Sequence, residues 1–99
     1  MNEGKKFDQG KPRWDLLPLE LMEDIVKIYT FGAEKYGVNT WQNLPDAYNR
    51  YKAAMFRHLV EFEKGRTNDE ESGLSHLAHM VWNAIAMLHA SKPIQIKQS

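Results

Sequence analysis

At 99 residues the chain is sized for a single domain, and 13 Lys+Arg against 13 Asp+Glu leave no net charge. Polyanion-binding proteins carry a basic excess, so a nucleic-acid polymer is excluded as a partner, whereas a small phosphorylated ligand needs only a local basic patch. Without cysteine there are no disulfides or thiolate metal sites, and with no membrane-length apolar run the composition predicts a cytosolic protein and no membrane partner.

Residues 1–9 read as a flexible tail in which Lys5 and Lys6 are solvated. "GKPRWDLLP" follows, too proline-bound to be helical and too aromatic to be a plain linker. Apolar residues at Leu21, Ile25, Ile28 and Tyr29 predict a first helix, opened by Pro18 and ended by Gly37. "VNTWQNLP" reads as a loop. A second helix opens at Pro45 and Asp46, carries the stripe Tyr48, Tyr51, Met55, Leu59 and Phe62, and closes at Gly65. "RTNDEES" is an acidic loop whose Glu71 or Ser72 is expected to cap the third helix, which runs from Gly73 or Leu74 to about Ala90. Pro93 stops it, 92–99 form a second flexible tail, and "IQI" is too short to count as a strand. The fold class expected is all-α, a small bundle of about three main helices.

On the third helix, Leu74, Leu77, Ala78, Val81, Ile85 and Leu88 fall on one face. The opposite face holds His76, His79 and Asn83 among Met80, Ala84 and Met87, where a solvated face would carry Lys, Glu and Gln. Burial on both sides is therefore expected, which one three-helix layer cannot supply, and a homo-oligomer (dimer or tetramer) would complete it.

Buried imidazoles and amides need partners. His58 interrupts the second helix's stripe with Glu61 three residues on and Arg57 beside it; His76 and His79 repeat that spacing on the third. Side chains three apart are neighbours on a helix surface, so two facing helices would present four ligand-type groups to one cleft. Asp69 and Glu71 in the loop between would add carboxylates to a metal site. The bland alternatives are hydrogen-bonded core histidines and a solvated loop.

A nucleotide asks for charge at its phosphates, a flat apolar surface for its base and polar groups for the base edge. Lys11, Arg13 and Trp14 offer one such set, and Lys35, Tyr36, Asn39 and Trp41 a second. Alternatively, Trp14, Leu16 and Leu17 staple the N-terminal segment to the bundle.

Taken in order, "GKPRWDLLP", "FGAEKYG" with "NTW", "RHL" and "DEESGLSHLAHMVWNAIAML" resemble the phage family dATP/dGTP diphosphohydrolase, N-terminal domain, over residues 10–89. The resemblance implies a phage-encoded protein acting on purine deoxynucleotides in the host cytoplasm, loosely tied to the all-α MazG-like nucleotide pyrophosphohydrolases. That superfamily holds divalent metal with an E-x-x-E pair and an E-x-x-D pair. Here the same spacing carries His58 with Glu61 and His76 with His79, and Gly65-Arg66 stands where the family tends to have Gly-Glu. Mg²⁺ prefers oxygen, so Mg²⁺ or Mn²⁺ on Asp69, Glu71 and Glu61 competes with Co²⁺, Ni²⁺ or Zn²⁺ on His58, His76 and His79.

The reaction expected is metal-dependent hydrolysis of a purine (deoxy)nucleoside triphosphate to monophosphate and pyrophosphate. Glu34, Glu61, Asp69 or Glu71 would be general base, Lys35, Arg57 and Arg13 would neutralise charge, and Asn83 would join the nucleotide contacts. Two alternatives stand beside it: a phage protein that sequesters a nucleotide without turnover, and a bundle whose polar face is an oligomer interface.

Overall fold

The computed structural model describes residues 9–92; Lys5, Lys6, both expected tails except Gln9 and Lys92, and "IQI" lie outside the described residues. Helix α1 spans Leu19–Tyr36, α2 spans Ala47–Glu63 and α3 spans His76–Ser91. Short 3-10 turns at Trp14–Leu16 and Thr40–Asn43 precede α1 and α2. No strand occurs among the described residues, only an isolated bridge between Asn68 and Ser75. The chain is all-α, as expected.

Sequence explains the ends. Pro18 is the N-cap of α1, and Gly37 ends it at φ +105°, its N–H donating to the Ala33 carbonyl. A Cβ there would sit 3.1 Å from Thr40 Cγ2, so the chain turns into the Thr40–Asn43 segment most easily at a glycine. The expected cap of α3 is corrected: Ser75, not Glu71 or Ser72, accepts from the Leu77 N–H at 3.0 Å. Ser72 is engaged elsewhere, and Glu71 pairs with Lys35.

Helix α3 is central, packed along α2 and across α1. The apolar core is thin: Ile25, Ile28 and Ala78 are buried, with Met22, Tyr29, Leu74, Trp82 and Ile85 packed on them, and no large side chain among the described residues is fully enclosed. On α1, Met22 takes the place expected of Leu21, which is exposed.

The orientation of α3 departs from expectation. His76, His79, Asn83 and Ala86 are buried, while Leu77, Val81 and Leu88 are exposed at 45%, 43% and 57%. Of the face read as apolar core, only Ala78, Leu74 and Ile85 reach it. A helix apolar nearly all round gives periodicity no direction to choose. Polar partners on α2 and in the loop decide it, because buried imidazoles and amides turned outward would forfeit their hydrogen bonds.

Candidate functional site

The loop joining α2 to α3 is closed by its own backbone. Asp69 N–H donates to Leu74 O (2.8 Å), Gly73 N–H to Asp69 O (2.8 Å), and His76 N–H to Thr67 O (2.9 Å). This fixes Asp69 and Ser72 above the first turn of α3. Ser72 N–H donates to Asp69 Oδ2 at 2.9 Å, and Ser72 Oγ accepts from Leu74 N–H while lying 2.7 Å from His79 Nε2.

From α2, His58 meets this group. Its Nδ1 is 2.8 Å from His76 Nδ1, a hydrogen bond in which one of the two rings carries the proton. Its ring also lies flat on that of His79, centroids 4.5 Å apart at 8°. His58, Asp69 and His76 each offer one ligand atom, all within 4.8 Å of one another. Two imidazole nitrogens and one carboxylate oxygen are a donor set that fits a divalent metal.

Charge in the cluster favours a cation. Burial pushes His58 down from 6.5 to about 4, helped by the His79 and His76 rings, so it is neutral at pH 7. Burial likewise lowers His79, with Asp69 opposing. For Asp69, burial acts to raise the pKa, but the Ser72 backbone N–H, His79, the Ser72 hydroxyl and His58 outweigh it and hold the carboxyl below its ordinary value. Metal ligation requires neutral imidazole and an ionised carboxylate, and His58 and Asp69 meet those two requirements.

A stability prediction follows. Unfolded, His58 takes up a proton near 6.5; folded, near 4, so between these values the unfolded state binds more protons. Stability is therefore retained above pH 6.5 and lost as pH falls towards 4. Thermal melts in chelator at about pH 7.5 and about pH 5 should show a lower midpoint at the acid value, and a drop that His58→Asn reduces.

Beside the cluster opens a cleft of about 910 Å³. Its walls include Tyr29, Trp41, Tyr51 and Trp82, with ring centroids 5.4–5.9 Å apart in edge-on or tilted pairs. Tyr51 Oη donates to the Trp41 carbonyl at 2.6 Å, tying the Thr40–Asn43 turn to α2. Lys35 and Arg50 supply positive charge, and Lys35 pairs with Glu71 across the opening between α1 and the loop.

The cleft gathers Lys35, Tyr36, Asn39, Trp41, Glu71, His58, His79 and Asn83 from the sequence-derived set. Asn83 donates through Nδ2 to the His79 carbonyl at 2.8 Å. Asp69 and His76 join at its end through His58 and His79. Others stay apart. Trp14 is 77% exposed, Leu16 69%, and Arg13 pairs with Asp15 at 2.7 Å, so the segment neither lines the cleft nor staples the bundle. Lys11 and Glu34 are exposed outside it. Glu61 pairs with Arg66 (2.7 Å) and Lys64 (3.9 Å), and with Arg57 borders a separate shallow groove. Sequence reasoning passed over Tyr29, Tyr51, Trp82, Arg50 and Ser72 as site residues. Trp82 carried a usable signal, standing three residues after His79 and beside Asn83.

Fold and site together define a small all-α domain in which an aromatic, cationic cleft ends at a histidine-aspartate cluster. The sequence matches the family described as dATP/dGTP diphosphohydrolase, N-terminal, over residues 1–98, and the chain belongs to that family. A protein of Salmonella phage PMBT28 named dATP/dGTP diphosphohydrolase is 40% identical over 76 residues, covering 77% of this chain and 26% of the relative. The chain thus spans about a quarter of that relative's length. No solved structure matches it.

Proposed function

We propose that the chain hydrolyses a purine (deoxy)nucleoside triphosphate to monophosphate and pyrophosphate with a divalent metal. The observation that carries this reading is the continuity of the cleft, which leads from aromatic walls past Lys35 and Arg50 to His58 and His79. Stacking surfaces and phosphate-type cations lie in one cavity of about 910 Å³, large enough for a nucleotide. Family membership and the relative's name support the substrate class.

In this reading Trp41, Tyr29 and Tyr36 offer the base its apolar surface, and Asn39 and Asn83 offer amides to its edge. Lys35 and Arg50 bind phosphate oxygens. His58, Asp69 and His76 would hold the metal, which when bound polarises phosphate and lowers the pKa of water. Lys35, on turning to phosphate, frees the Glu71 carboxylate to accept the water proton. The water oxygen bonds to the α-phosphorus, the bond to the α,β-bridging oxygen breaks, and pyrophosphate leaves with the electron pair. The exposed stripe Leu77, Val81 and Leu88 supports packing against a second copy in a homo-oligomer.

The test is incubation of dATP and dGTP with the chain and Co²⁺, Mn²⁺ or Mg²⁺, followed by removal of the metal and ³¹P NMR. One pyrophosphate per monophosphate is expected, with none in chelator. Lys35→Ala should raise KM about tenfold or more, the cost of losing a charged hydrogen bond. Stoichiometric recovery of intact nucleotide with no pyrophosphate would replace hydrolysis by sequestration.

A further inference from the structure

We propose that His58, Asp69 and His76 form a site for a borderline transition-metal ion of the Co²⁺, Ni²⁺ and Zn²⁺ class, which it takes in preference to Mg²⁺, with Ser72 and His79 as positioning residues. The proposal rests on the functional reading for its place in catalysis, naming the ion class of that same site, but its chemistry is separable from turnover. It narrows six metal-ligand candidates to three.

Donor type comes first. Mg²⁺ asks for near-octahedral oxygen and keeps much of its water, whereas imidazole suits the later first-row ions. Here two of three donors are imidazole nitrogens. The other two carboxylates considered as ligands lie outside this donor set: Glu71 pairs with Lys35, and Glu61 with Arg66 and Lys64.

Spacing comes second. Two nitrogens each about 2.0–2.1 Å from one ion lie about 2.9 Å apart at a right angle and about 3.3 Å apart at a tetrahedral one. The two Nδ1 atoms are 2.8 Å apart, close to the right-angle value, so ligation would displace the shared proton and turn the two lone pairs from each other towards the ion with little change in their separation. A pair of histidines serving only the core gains one hydrogen bond from this arrangement. The same pair beside a carboxylate makes a preformed chelate.

Support comes third. Asp69 is held by the Ser72 N–H, and Ser72 by Leu74 and His79, so one serine couples the carboxylate to α3. His79 spends Nε2 on Ser72 and lays its ring against His58, fixing the plane of that ring. These are the tasks of groups that orient metal ligands.

The experiment is titration of the chelator-stripped full chain with Co²⁺ alone, read by visible absorption and calorimetry, then repeated with Zn²⁺ and Mg²⁺. One Co²⁺ per chain is expected, unperturbed by roughly 100-fold excess Mg²⁺. His58→Ala and His76→Ala should each weaken it by more than the roughly 10–100-fold typical of outer-shell changes, and Ser72→Ala by about that range. His89→Ala, away from the cluster, should leave it unchanged. Because either ligand variant could unfold, proton NMR of the unmutated Co²⁺ protein gives a second reading: two strongly shifted exchangeable imidazole N–H signals are expected. Competitive Mg²⁺ binding, Co²⁺ binding that survives loss of both His58 and His76, or fewer than two shifted signals would overturn the proposal. Metal selectivity without pyrophosphate release would sustain it while removing the hydrolase reading.

Discussion

Trp82→Ala is expected to lower the unfolding free energy by about 3–5 kcal/mol, enough to unfold much of the protein. The indole touches three other elements: Tyr29 of α1 (5.7 Å between centroids), Trp41 of the Thr40–Asn43 turn (5.9 Å) and Tyr51 of α2 (5.4 Å). Among the described residues no large side chain is fully buried, so this ring cluster is a large part of what joins those elements. One term opposes the loss. Trp82 Nε1 is buried without a hydrogen-bond partner, and removing it relieves a cost of about 1–3 kcal/mol. Trp82→Phe keeps most of the ring contact and removes the orphan donor, so it should cost far less than alanine. Urea unfolding followed by circular dichroism compares the two. An alanine cost below about 1 kcal/mol would show that the ring is not the joint described here.

That joint was hard to see in the sequence, and the reason is physical. Helix positions were legible because Pro18, Gly37 and Gly65 interrupt chain geometry locally, and the α2 stripe survived except at Tyr48, which is exposed. The facing of α3 was not legible, since apolar residues surround it and the deciding contacts, from His58 eighteen residues before His76 and from the loop that precedes the helix, exist only once the chain folds. Convergence of His58, His76 and Asp69 was foreseen from spacing and residue type. Ser72 and Arg50 were missed because their roles exist only once the loop closes and the cleft forms. Lys11, Arg13 and Trp14 show the converse: suitable chemistry in a short segment does not place it, and Arg13 instead meets its neighbour Asp15.

Asp69→Asn is expected to lower nucleotide turnover on the order of 100-fold or more while changing stability little, since even groups that only orient a metal ligand are worth 10–100-fold. The amide keeps the carboxylate's shape, and its Oδ can still accept from the Ser72 N–H, so the loop closed by Gly73 and Leu74 should stand. What it loses is the negative charge that the carboxylate brings to the three-residue donor set. His79→Ala makes the contrast. It strands the Ser72 hydroxyl and removes the ring stacked on His58, so it should cost about 1–3 kcal/mol of stability besides any effect on turnover. Measuring kcat and urea midpoint for both separates charge from packing at one site. Full turnover in Asp69→Asn would remove that carboxylate from the site and leave the histidines as part of the core.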